Sequence, residues 1–131
     1  MGVNLMRELQ EFTKEYQREL NWHIDDENYQ KSQESLLLNY MLLTTEVAEV
    51  AEEFRKAFNF VHKETENGMT PDEAFAIAKS SIKEDLGKEI SDCLAYLCKF
   101  ANFFDIDMEE SFYEKMAEVK NRQHKGVKLP D

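Results

Sequence analysis

The sequence predicts an all-α protein, an antiparallel bundle of four to five helices completed by oligomerisation. Three observations predict it. Only four Gly and two Pro interrupt 131 residues. Glu, Lys, Leu and Ala, which favour helix, are abundant. Apolar and aromatic residues recur three and four apart over long stretches, the spacing of one helix face. The length suits a single domain spanning residues 1–131, with no linker, low-complexity tract or internal repeat.

The first helix is expected over residues 4–20, where Leu5, Leu9, Phe12, Tyr16 and Leu20 keep helical spacing. The stretch NWHIDDENYQKSQ, 21–33, is polar and aperiodic and reads as a loop. Residues 34–62 then carry Leu36, Tyr40, Leu43, Val47, Val50, Phe54, Phe58 and Val61. That stripe predicts a helix of roughly 27 residues, about 40 Å long. NGM, 67–69, is a turn. Thr70 is placed to cap the next helix, with Pro71 as its first residue and Glu73 as the capping-box partner. The helical pattern continues to Phe104, with a break expected near Gly87. A last helix starts at Asp107 as cap, with Glu110 three later, and runs to about His124; Gly126 ends it and VKLPD is a tail.

The formal net charge is −11. It argues against a nucleic-acid backbone or an anionic membrane as main partner. No apolar run approaches the roughly 20 residues of a membrane span. The amphipathic, acidic start MGVNLMRELQEF lacks the apolar core of a signal peptide. A cytoplasmic protein is expected. Cys93 and Cys98 lie five apart on one predicted helix, too far round it to face each other, and read as buried thiols.

The acids are the informative feature. In TTEVAEVAEEF, 44–54, Glu46, Glu49 and Glu53 follow i, i+3, i+7 and share a face. The same row also holds Leu38, Leu42 and Phe60, so it is not a plain solvent side. Glu52, Arg55 and Asn59 fit the solvated side better. A second cluster, Glu89 and Asp92 with Tyr96 a turn on, lies beside the stripe Leu86, Ile90, Cys93, Leu97. If the two helices pack antiparallel, four carboxylates converge. Two carboxylates about 5 Å apart repel by roughly 3 kcal/mol at an effective dielectric near 20. Some would protonate, or a cation must sit among them. All-oxygen ligation suits Mg²⁺ or Mn²⁺. A di-iron bundle would want Glu-x-x-His, and none of His23, His62 and His124 has a Glu three before it. One such acid pair alone is usually a solvated helix face. Two pairs, each edging an apolar seam, set a functional site level with that plain reading.

Glu46-Val-Ala-Glu49, and Glu89-Ile-Ser-Asp92 followed by Cys-Leu-Ala-Tyr96-Leu, resemble the MazG-like all-α nucleoside triphosphate pyrophosphohydrolases. FDIDMEESFYEKM, 104–116, is similar to the start of that family's last helix. The resemblance covers roughly residues 34–122. It implies Mg²⁺-dependent hydrolysis of a nucleoside triphosphate to a monophosphate and pyrophosphate. Glu46, Glu49, Glu89 and Asp92 match the family's metal ligands; Tyr96 and Lys115 match positions that contact phosphate. On this reading Lys115 and Arg122 hold the leaving pyrophosphate, and Glu49 or Glu53 orients or deprotonates the water.

Three departures stand out. Thr45 occupies the first position of the usual Glu-Glu-x-x-Glu. Thirty-nine residues separate Glu49 from Glu89, longer than usual; the extra length holds the Thr70–Ser80 start of the third helix or forms an added helix near the mouth of the site. Val119, not Asn, stands four after Lys115.

Trp22, in the early loop, would stack on a base or cap the bundle core. His62 reads as a helix-dipole partner, Lys99 as a solvated charge, and Met41 and Met116 as core filler. The seams are long for one subunit to cover, so a homodimer or homotetramer is expected. The alternative from another class is a non-enzymatic oligomeric helical interaction module. Divalent-cation binding at the acids discriminates, because such a module does not need it.

Overall fold

The computed structural model describes residues 5–124. They form four helices and no strand: α1 (Leu5–Glu19), α2 (Tyr29–Glu66), α3 (Pro71–Phe103) and α4 (Met108–His124). Gly126 and the VKLPD tail lie outside the described residues. The chain divides into two compact units. One holds the residues up to Asp26 together with those from Cys98 on; the other holds Glu27–Leu97. No described helix is long and apolar enough to cross a membrane.

The ends of the helices follow the local chemistry of the sequence. Thr70 Oγ1 accepts from the Glu73 backbone N–H at 3.2 Å and donates to Glu73 Oε1 at 2.9 Å. Asp107 Oδ1 accepts from the Glu110 N–H at 3.1 Å and so caps α4. Three helices close in the same way, with one residue turned into the left-handed region: Asn21 after α1, Gly68 after α2 and Asp105 after α3. After each, the next N–H reaches back to the last turn: Trp22 to Gln17 O, Met69 to Glu64 O and Ile106 to Ala101 O.

α2 starts five residues earlier than the sequence pattern predicts. The Asn28 side chain caps it by accepting from the Lys31 N–H at 2.9 Å, and Lys31 pairs with Glu27 at 2.6 Å. The first turn is thus held by polar groups that an apolar periodicity does not register. The helix spans 38 residues, about 57 Å at 1.5 Å per residue. α3 runs unbroken through Gly87, whose carbonyl accepts from Ser91 Oγ at 2.8 Å. One glycine costs about 1 kcal/mol, which a 33-residue helix carries. The extra length between Glu49 and Glu89 forms no added helix. It extends α2 and α3 and supplies the turn between them.

In the Glu27–Leu97 unit, α2 and α3 run antiparallel: residues 46 and 89–92 approach each other, as do residues 53–60 and 78–85. The inward row of α2 is Asn39, Leu43, Glu46, Val50, Glu53, Ala57, Phe60 and Glu64, all buried or half-buried. Its 3.5-residue period is that of a coiled-coil seam. The stripe expected to be buried is only partly so. Leu36, Leu43, Val50 and Val61 are half-buried, while Tyr40, Val47, Phe54 and Phe58 are exposed. On α3, Glu89, Cys93 and Tyr96 turn inward, and Ile90 and Leu97 stay exposed. The seam closes on small side chains, Ala57, Ala74 and Ala78.

In the other unit α1 packs on α4. Arg7 pairs with Asp107 at 2.7 Å and Glu109 at 2.8 Å. Gln10 ties three segments together. Its Oε1 accepts from the Met108 N–H at 3.1 Å, and its Nε2 donates to Ile106 O at 2.7 Å and Asn102 Oδ1 at 3.0 Å. Cys98 is fully buried and its thiol meets Met108 Sδ at 3.8 Å. Cys93 is half-buried, and both thiols are free. Met41 and Met116 are exposed rather than core filler. Because Gln10 satisfies an N–H and a carbonyl at the α3–α4 corner, Gln10→Ala should lower unfolding free energy by about 1–3 kcal/mol. The exposed control Glu8→Ala should stay within about 0.5 kcal/mol in the same denaturant titration.

Candidate metal centre

Glu46 reaches the site from the α2 seam. Glu89 and Asp92 reach it from successive positions three apart on α3. One carboxylate oxygen from each lies within 4.8 Å of the others. Glu46 and Glu89 are half-buried, and Asp92 opens to solvent.

The electrostatics are those of crowded acids. Desolvation, then the charges of Asp92, Glu89 and Glu49, raise the Glu46 pKa above its ordinary value; its carboxyl also shares a hydrogen bond with Asp92. Desolvation, followed by Asp92, Glu49 and Glu53, raises Glu89 likewise. Tyr96, a turn beyond Asp92, is raised by burial and by the charges of Glu46 and Asp92. The Cys93 thiol is raised by burial and by Glu46, Asp92 and Glu89. Three oxygens this close with their protons displaced form a hard-oxygen donor set that could hold a divalent cation.

The other expected site residues fall as follows. Glu49 is exposed and lies outside the three-carboxylate cluster, although its charge reaches Glu46 and Glu89. The inward row steps from residue 46 to 50 and 53, which leaves 49 on its flank. Glu53 is buried, and its Oε2 accepts from Lys56 Nζ at 2.8 Å. Glu52 is exposed and bonded to Arg55, as its position on the solvated side predicts.

Lys115, Arg122 and Trp22 belong to the other unit. Lys115 and Arg122 both pair with Glu118, at 3.3 and 2.6 Å. Trp22 is 56 % exposed and meets the Tyr16 ring edge-on at 6.3 Å, so it does not cap a core in this chain. His62 pairs with Glu66 at 3.2 Å. Lys99 is half-buried instead of solvated, and desolvation lowers its pKa. Sequence reasoning did not single out Lys56, the base three residues after Glu53. An i, i+3 acid–base pair is common on any helix, and only the burial of Glu53 gives this one weight.

A family model, the MazG nucleotide pyrophosphohydrolase domain, matches residues 32–127. Comparisons with curated proteins and with solved structures gave no match.

The raised carboxyls give a pH dependence of known sign. The fold holds protons on Glu46 and Glu89 that the unfolded chain has already released, so these groups favour the fold at low pH. That contribution is lost as pH rises from the unfolded glutamate value through the raised folded value. A divalent ion held there would replace the protons. Millimolar Mg²⁺ should therefore raise Tm more at about pH 8 than at about pH 5. The sodium salt of the same anion at matched ionic strength should not reproduce this difference. Asp92→Asn should raise the metal-free Tm and blunt the Mg²⁺ response in the same thermal scans.

Proposed function

Because the chain belongs to the MazG nucleotide pyrophosphohydrolase family, we propose that it is a cytoplasmic nucleoside triphosphate pyrophosphohydrolase that needs Mg²⁺, with Mn²⁺ as a substitute. The observation that carries the reading is the meeting of Glu46, Glu89 and Asp92 within 4.8 Å. The products are the nucleoside monophosphate and pyrophosphate.

Glu46, Glu89 and Asp92 would hold the ion, with Glu49 adding negative charge from the flank. The bound ion supplies neutralisation of phosphate oxygens and an acidified water. Glu49 is the better choice for orienting and deprotonating that water. It is exposed, whereas Lys56 occupies the Glu53 carboxylate and fixes it as a buried structural charge. Tyr96 sits a turn beyond Asp92, where its hydroxyl can donate to a phosphate oxygen. α4 offers Lys115 and Arg122 as phosphate-binding cations once they exchange Glu118 for substrate. Trp22 offers an exposed ring face to a base.

Self-association belongs to the same reading. The exposed residues Tyr40, Val47, Phe54 and Phe58 each follow an inward residue of α2 by one position. They therefore form a second stripe about 100° round the helix. Ile90 and Leu97 do the same on α3, with the half-buried Leu94 between them. Phe54, Phe58 and Ile90, with Phe75, line one apolar groove of about 780 Å³. A second copy covering these stripes would complete a helical bundle as a homodimer or a dimer of dimers.

With Mg²⁺ the protein should release pyrophosphate, not orthophosphate, from at least one member of a panel of ribo- and deoxynucleoside triphosphates. No turnover across the panel would remove the enzymatic reading and favour an interaction module. Glu49→Gln should lower kcat by about 100-fold or more. Glu52→Gln should leave it unchanged, and Lys115→Ala should act mainly through KM. Light scattering at micromolar concentration should give at least twice the chain mass. Phe58→Glu should shift that mass toward the monomer.

A further inference from the structure

Each unit leaves one large apolar surface outside its own packing. In one it is the stripe Leu5, Leu9, Phe12 and Tyr16 of α1, continued by Leu20, all exposed. In the other it is the open groove of Phe54, Phe58, Phe75 and Ile90. We propose that the α1 stripe of a second copy of this chain docks in that groove, and that the two copies exchange α1 in this way. The proposal rests on the self-association reading above and names the segments that meet.

The way α1 is held supplies the first argument. Its inward face is Met6, Gln10, Thr13 and Gln17, each buried or half-buried. Gln10 anchors that face to the α3–α4 corner through Asn102, Ile106 and Met108. At 100° per residue the apolar stripe lies about 90° round the helix from this face. α1 is thus fixed by polar contacts, and its largest side chains take no part in fixing it. The Phe12 and Tyr16 rings stack on each other at 5.7 Å and present one continuous strip.

Length and charge supply the second argument. The stripe from Leu5 to Leu20 and the groove wall from Phe75 to Ile90 cover the same number of residues, about 22 Å of helix axis. The whole chain carries 27 Asp and Glu against 16 Lys and Arg. The groove lining nevertheless holds Lys79 and Lys83 and no carboxylate. Both lysines are exposed and stand one turn apart, and Lys79 Nζ lies 5.9 Å from the Phe75 ring centroid. The α1 stripe has the opposite edge: Glu8, Glu15 and Glu19 border it, all exposed, with Glu15 and Glu19 one turn apart. The bases of α1, Arg7, Lys14 and Arg18, lie on the far side of the helix. An apolar strip edged with acids therefore faces an apolar groove edged with bases. Groove against groove would instead set lysine against lysine. With α1 of each copy in the groove of the other, the contact has two-fold symmetry and closes as a dimer.

The test uses two charge-reversed variants of the full chain, Glu15→Lys with Glu19→Lys, and Lys79→Glu with Lys83→Glu. All four positions are exposed, and far-UV circular dichroism confirms that each variant keeps its helices. In light scattering over a dilution series, each variant alone should need at least about a tenfold higher concentration than wild type to associate. An equimolar mixture of the two should recover the wild-type mass at the wild-type concentration. In the mixed pair the basic α1 meets the acidic groove and the acidic α1 meets the basic groove, whereas each variant paired with itself sets like charge on like. Wild-type association of either variant alone would overturn the proposal and leave self-association through α2 and α3 standing. Variants that weaken alone and fail to recover on mixing would assign the α1 stripe to its own chain or to a different partner, and would overturn it as well. A monomeric wild type would remove the self-association reading and this proposal together.

Discussion

Glu46, Glu53 and Glu89 occupy positions where two long helices meet, which a simple heptad would fill with leucine. This placement conditions the rest of the Glu27–Leu97 unit. The seam is thinned to Ala57, Ala74 and Ala78 at one end, so the helices close on each other. At the other end acids take the inward places. Glu53 is answered within its own helix by Lys56. Glu46 and Glu89 have each other and Asp92, with Glu49 nearby. Burial and like charge then act in the same direction on the same groups, and both raise the carboxyl pKa. An ion of opposite charge relieves both, which is why a structural defect in the apo fold is a sensible starting point for metal chemistry.

The elements of the fold were legible in the sequence because their ends depend on local chemistry. Thr70-Pro71-x-Glu73 and Asp107-x-x-Glu110 each make the cap hydrogen bonds that their spacing predicts. Asn-Gly at 67–68 supplies a left-handed residue where α2 must stop. The early start of α2 was not legible, because Asn28 and the Glu27–Lys31 pair hold that turn without apolar residues. Gly87 suggested a break that the flanking helix overrides.

The site was legible in part, and the errors share one cause. Helical spacing placed the acids of α2 and α3 beside an apolar stripe, and Glu46, Glu89 and Asp92 do meet. Yet the inward row is one residue away from the row that hydrophobicity picks out. Single-chain periodicity records every apolar face a helix has, with no label for what covers each one. Lys99 shows the converse. Its charge suggested solvent, and only the fold reveals that the end of α3 is packed around it.

That one-residue offset also explains why helices this long carry so few buried large side chains. A helix in a two-helix hairpin needs one seam. α2 has two, about 100° apart, one with acids and alanines and one with Tyr40, Val47, Phe54 and Phe58. The acidic seam is used inside the unit, where it can bring carboxylates from two helices onto one point. The aromatic stripe would contribute little there, since a large ring in that seam would hold the helices too far apart for the carboxylates to converge. Leaving it on the adjacent face keeps the two requirements separate. Proximity of the acids is set by small residues within the chain, and hydrophobic burial is left to the surface around the groove of Phe54, Phe58, Phe75 and Ile90. On the proposed assembly, association would therefore supply burial without changing the spacing on which the acidic cluster depends.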